Sequence, residues 1–168
     1  MRICCFTSIS FSYLNRARVL GATLKRHHPD WTLWLVISDV PPDGLSFDVS
    51  QESWDKVTFA TELEIADTKA WIFKHDVVEL CTAVKGPFLE FLTGLDFDQI
   101  FYLDPDIAVL NNLEPMVRML ETSSILLTPH QLEPDDNEIS VWDNEIGSLI
   151  HGAYNLGFIA IRNDDIGR

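Results

Sequence analysis

No run of about 18 consecutive apolar residues occurs in this sequence, which is the least a membrane-spanning helix needs. The N-terminus also lacks a secretory leader pattern: Arg2 precedes only a short apolar stretch, which Thr7, Ser8 and Ser10 interrupt. Together these absences set the expectation of a cytoplasmic protein without an integral membrane segment. Cysteine is scarce. Cys4, Cys5 and Cys81 form an odd set with no framework spacing, which argues against a disulfide scaffold and for free thiols. Basic residues are scarce too: 12 Lys and Arg stand against 26 Asp and Glu, for a net charge of −14. Nucleic acid and anionic membranes demand basic patches, so neither is expected as the principal partner.

What is present suits a single globular domain over residues 1–168, with 46% hydrophobic and 23% charged residues. Short apolar runs alternate with helical patterns. Arg2 to Thr7 reads as a buried strand, followed by a helix from Ser12 to His27 with Leu14, Ala17, Leu20 and Leu24 along one side. His28-Pro29-Asp30 ends that helix, and Trp31 to Ser38 is the next strand. Strand, helix and strand in this order indicate a parallel sheet. Further along, Lys56 to Ala60 reads as a strand, Glu62 to Ala66 as a helical turn, and Phe73 to Val84 as a helix. Pro87 opens another helical piece; Gln99 to Leu103 is an apolar strand and Leu113 to Thr122 a helix. Ile125 to Thr128 reads as a strand, Ser140 to Ile150 as a weak helix, and Phe158 to Ile161 as the last strand. The expected class is α/β with a mostly parallel central sheet flanked by helices. Because the sequence stops soon after a strand, it is expected to be an N-terminal fragment of a longer enzyme.

The sharpest chemical signal is Asp104-Pro105-Asp106, delivered by the apolar strand before it. Ligands of open α/β sheets bind outside the carboxyl ends of strands. Carboxylates at i and i+2 share one side of an extended chain. Unpartnered they repel, and one carboxyl group would hold its proton. A Mn²⁺ or Mg²⁺ ion resolves that conflict, with diphosphate oxygens completing the oxygen shell. A surface turn is the plain alternative for Asp-Pro-Asp.

The stretch Phe101 to Leu110, FYLDPDIAVL, resembles the Asp-x-Asp motif of GT-A glycosyltransferases, the class of the glycogenin-like and lipopolysaccharide galactosyltransferase-like enzymes. Other segments carry the same resemblance in the same order. They are the opening strand ending at Thr7-Ser8, Tyr13-Leu14 at the first helix, and Asp39 after the second strand. Glu79 to Phe88, with Lys85, and Gly152 to Phe158, an Asn-x-Gly segment, complete the set. The resemblance implies a Rossmann-like nucleotide-sugar-binding domain that moves a sugar from a nucleotide-diphosphate donor, a UDP-sugar above all, to a carbohydrate or glycan-precursor acceptor. It implies that Asp106 and Asp104 hold the metal, with Asp104 also near the ribose. Thr7, Ser8 and Tyr13 would line the base pocket, and Asp39 would add a polar contact. Lys85 would lie beside the diphosphate, and Asn155 and Gly157 beside the sugar. A third metal ligand, often histidine in such enzymes, is expected beyond Arg168. His151 reads as a loop histidine, and the five tryptophans as core.

Two other readings share these residues. Haloacid-dehalogenase-type phosphatases present Asp-x-Asp after an apolar strand, but near the start of the domain and followed by a small hydroxyl residue; here Ile107 and Ala108 follow. A non-catalytic, degenerate transferase-like domain would keep the nucleotide fold and serve a partner protein.

Overall fold

Every residue of the first strand, β1 (Ile3–Ile9), is buried, so both faces of the sheet are covered. Ile3, Cys5 and Ile9 pack with α1 (Leu14–His27) on one face. Cys4 and Phe6 face the opposite core. The molecule is a computed structural model that describes residues 1–167, without the side chain of His151. Among them, β2 (Thr32–Ile37), β3 (Lys56–Phe59), β4 (Gln99–Leu103), β5 (Ile125–Pro129) and β6 (Tyr154–Arg162) join β1 in one sheet of order β3-β2-β1-β4-β6-β5.

The four strands β3, β2, β1 and β4 run parallel, and β6 lies antiparallel to both β4 and β5. Chain order reverses across β1, with β2 on one side and β4 on the other. This is the switch point at which open α/β sheets form a crevice. The apolar stripe Leu14, Ala17, Leu20 and Leu24 of α1 packs on one face beside Val117 of α5 (Glu114–Met119). The other face is covered by α3 (Val77–Ala83) and α4 (Lys85–Thr93), through Leu80, Phe88 and Leu92. Before them lies the short α2 (Thr68–Phe73). No helix among the described residues is long and apolar enough to cross a membrane.

Three local expectations are corrected. The helix placed over Phe73 to Val84 begins at Val77. Asp76 accepts from the N–H groups of Val78 and Glu79 while Glu79 reaches back to the Asp76 N–H, a reciprocal cap that sets the start. The helical turn placed over Glu62 to Ala66 lies instead at Ala60–Glu62, as a 3₁₀ turn. The helical piece expected to open at Pro87 begins instead at Lys85 and follows α3 without a break in coiling: Val84 stays right-handed helical, and Phe88 N donates to Val84 O at 3.0 Å. Pro87 cannot donate to the preceding turn, and it marks the junction of α3 and α4 without ending the helical path.

The weak helix expected from Ser140 to Ile150 exists as a mixed segment. One α-turn at Glu138–Ser140 runs into a π-helical stretch at Val141–Ile146 and a final turn at Gly147–His151. Gly152, at φ +111°, ends it in a conformation that L side chains rarely adopt.

Candidate active site

The carboxyl ends of β1 and β4 flank a cleft of about 280 Å³. One wall is the chain leaving β1, Ser8 to Tyr13; the facing wall is α3, through Val77, Val78, Cys81 and Thr82. Lys85, Tyr102, Asp104 and Asp106 complete it. Phe11–Tyr13 is a 3₁₀ turn, and the Asp39 carboxylate accepts from its first N–H at 2.8 Å. Asp39 thus steadies the wall that carries Tyr13 and is not among the residues lining the cleft.

Asp104 is the best-connected of these residues. Its Oδ1 accepts from the Tyr102 hydroxyl at 2.5 Å and from Lys85 Nζ at 3.1 Å. Lys85 opens α4, where α3 gives way to it, so its short path leads directly across to β4. The ammonium also lies 4.4 Å from the centre of the Tyr102 ring and 3.4 Å from Leu156 O. Burial, and then the Asp104 carboxylate, push the Tyr102 hydroxyl pKa up, so Tyr102 remains a neutral donor. Ser8 donates its proton to Cys81 O at 2.6 Å. With both hydroxyl protons committed, the 3.4 Å approach of Ser8 Oγ to the Tyr102 oxygen is a contact, not a third hydrogen bond.

The Asn-x-Gly segment arrives from β6. Pairing between β5 and β6 jumps from Leu127↔Ile159 to Thr128↔Asn155, which leaves residues 156–158 outside that ladder. The freed stretch stays with β4 instead: Asp104 N donates to Gly157 O at 2.8 Å. Asn155 Oδ1 accepts from Gly157 N at 2.8 Å, closing a tight turn. A Cβ at Gly157 would lie 2.9 Å from both Asn155 Oδ1 and Asp104 Oδ2, so any larger residue there displaces those two side-chain ends.

Asp106 is more open. Its carboxylate has Arg16 at 3.9 Å, and both side chains are more than half exposed. Asp104 and Asp106 therefore present hard oxygen donors to one cleft. That set suits Mg²⁺ or Mn²⁺, which often bind through one or two carboxylates and complete their shells with water and substrate phosphates. No group of three or more His, Cys, Asp or Glu able to hold a metal exists among the described residues. The side chain of His151 lies outside them.

Ser8, Tyr13, Lys85, Asp104 and Asp106 thus share the cleft, and Asn155 and Gly157 border it through Asp104. Thr7 does not join them. Period-two geometry turns it away from Ser8, and its side chain is fully buried, with Oγ1 lacking a hydrogen-bond partner among the described residues. Residue-by-residue reading of the sequence missed Tyr102, Cys81 and Arg16. For Tyr102 a signal existed, since it precedes Asp104 by two and so shares its side of the strand.

No protein-family model matches the sequence, and no curated protein sequence matches it. Solved structures do. The glycosyltransferase GlyE of Streptococcus pneumoniae aligns with a TM-score of 0.52 at 17% identity, over 96% of this chain and 34% of that one. An active-site mutant of LgtC aligns with a TM-score of 0.58 at 14% identity, over 99% of this chain and 59% of that one. LgtC has also been solved as a galactosyltransferase with donor and acceptor sugar analogs. The bifunctional WbbM aligns with a TM-score of 0.55 at 11% identity, over 97% of this chain and 32% of that one. The chain thus spans from about a third to about three fifths of the length of these structures. Identities this low speak for shared architecture, and the order and direction of the strands give that architecture its physical content: this chain has the fold of the GT-A glycosyltransferases.

Proposed function

We propose that this chain is the donor-binding part of a glycosyltransferase, and that it positions a nucleoside-diphosphate sugar, a uridine nucleotide above all, for transfer to an acceptor hydroxyl on a carbohydrate. The observation that carries the reading is the placement of Asp104, Asp106 and Lys85 together at the sheet's switch point. An anionic donor needs positive charge at such a rim, yet the protein is strongly acidic. Asp104 and Asp106 would hold Mn²⁺ or Mg²⁺, which supplies Lewis-acid neutralisation of the diphosphate when bound.

The chain's own residues have separable tasks. Lys85, already aimed at the rim, would place its ammonium near the diphosphate oxygens, where negative charge grows as the sugar–phosphate bond breaks. Tyr102 would keep the Asp104 carboxylate in one orientation by donating to Oδ1. Tyr13 offers a ring face for the base, and Ser8 lies deeper in the same cleft. Asn155 and Gly157 would let backbone approach the sugar closely. This reading also draws on what LgtC was solved with, donor and acceptor sugar analogs.

The test is calorimetric titration of UDP into the protein with Mn²⁺ and with a chelator, beside an Asp106→Ala variant. The expected result is binding that requires the cation and disappears in the variant. Absence of binding by folded protein, tested also in the longest available form of the chain, would overturn the reading and favour a degenerate domain that serves a partner.

A further inference from the structure

Two arginines stand two residues apart in the first turns of α1 and are held very differently. Arg18 makes a forked pair with Glu52, at 2.6 and 3.0 Å, and the Glu52 side chain is only 3% exposed. That pair fastens α1 to the segment before β3. Arg16 instead faces the cleft mouth, 3.9 Å from Asp106 Oδ2, with both side chains 58% exposed. The separation exceeds that of a charge-assisted hydrogen bond, and exposed ion pairs of this kind are weak. A cation in the first turn also opposes the helix dipole, so helix stability does not account for Arg16. Its guanidinium is nevertheless localised, stacked 4.6 Å from the centre of the Tyr13 ring. Tyr13 and Asp106 both line the cleft.

We propose that Arg16 exchanges partners: it neutralises Asp106 in the free protein and passes to the diphosphate of the donor when a divalent cation takes that carboxylate. The inference rests on the donor-site reading above. A divalent cation at Asp106 repels the guanidinium and outcompetes a 3.9 Å pair. Stacking on Tyr13 keeps the displaced head at the mouth, where the diphosphate must enter. A planar fork then matches phosphate oxygens in a way an ammonium does not. Lys85 and Arg16 thereby approach the diphosphate from opposite walls, one over Asp104 and one over Asp106.

The experiment compares wild type with Arg16→Gln by calorimetry, first with Mn²⁺ alone, then with UDP and with pyrophosphate at saturating Mn²⁺. Arg16 is exposed, and thermal melting checks that the variant is folded. The expected outcome is a change of opposite sign. Mn²⁺ alone binds about threefold tighter because its competitor is gone, while UDP and pyrophosphate both bind about tenfold weaker. Arg16→Lys should restore the Mn²⁺ affinity to the wild-type value but only part of the UDP affinity. Affinities that stay equal, or that all fall together, would overturn the exchange even if wild type binds UDP normally. Failure of wild type to bind UDP with Mn²⁺ would overturn the donor-site reading and the exchange with it.

Discussion

Lys85, the first residue of α4, and Asp104, just past the end of β4, meet at 3.1 Å on the same carboxylate oxygen that accepts from Tyr102. The ammonium is mostly buried and the carboxylate about two-thirds so, and the Tyr102 ring lies under the cation. Replacing Lys85 with Met keeps most of the length of the side chain and removes its charge. The expected loss in UDP affinity is about 10- to 100-fold, the value of a hydrogen bond to a charged group. Binding of Mn²⁺ alone should not weaken, because a competitor for Asp104 has been removed. Parallel calorimetric titrations check both, and loss of Mn²⁺ binding would place Lys85 in support of the fold instead.

Gly157→Ala separates site geometry from stability. The added methyl would lie 2.9 Å from the side-chain oxygens of Asn155 and Asp104, which are ends of side chains able to swing aside. The fold should lose about 1 kcal/mol or less. Swinging Asp104 away from its Tyr102 and Lys85 donors should weaken Mn²⁺-dependent UDP binding by about tenfold or more. Thermal melting and calorimetry on one sample decide whether the two effects part in this way.

Buried acids make the fold sensitive to alkali. Burial pushes the Cys4 thiol from 9.0 up to about 12, raises Cys5 in the same direction, and raises Tyr102 as well. The unfolded chain therefore releases protons from these groups before the native chain does. Native stability should fall as pH rises above 9, where a free thiol ionises, and Cys4 keeps contributing to the decline up to about 12. The limiting slope is about 1.4 kcal/mol per pH unit for each group. Urea unfolding at a series of pH values under reducing conditions should show it, and Cys4→Ala and Cys5→Ala should each flatten the slope. An unchanged slope in both variants would assign the loss to other groups.

Phe88 joins the helical face to the sheet. It is fully buried, and its ring centre lies 5.2 Å from that of Phe6 and 5.4 Å from that of Trp34. Phe88→Ala should cost about 3–5 kcal/mol, the usual range for an aromatic cavity in a core. Urea unfolding monitored by Trp fluorescence measures the cost. Because Phe88 lies outside the cleft, UDP affinity of the folded fraction should hold.

Apolar runs made the strands readable, since β1, β2 and β4 are buried on both faces and have few polar residues to blur their limits. The carboxylates after β4 were legible for the same reason, as the end of an apolar run is conspicuous. Asp76 and Glu79 also carried a readable helix start, a reciprocal cap that periodicity alone placed too early. The antiparallel setting of β6 was not legible, because period-two patterning does not encode strand direction. Nor was the pairing of Arg16 with Asp106: it depends on where α1 sits relative to β4, and 90 residues separate the partners. Thr7 shows the opposite error, in which adjacency to Ser8 stood in for geometry although neighbouring strand residues face apart.

The gap in the β5–β6 ladder links the proposed binding to the docking of β6. Residues 156–158 leave β5 and lie against β4, so the rim beside Asp104 is finished only when a segment 71 residues beyond Lys85 has docked. Contacts of such long sequence separation form late, because the loop between them must close first. A partly folded chain with β1 to β4 assembled would hold the two carboxylates yet lack the Gly157 backbone that fixes the first of them. Under the donor-site reading, occupancy of the cleft is therefore a clock hand for this strand and reads out whether β6 has arrived.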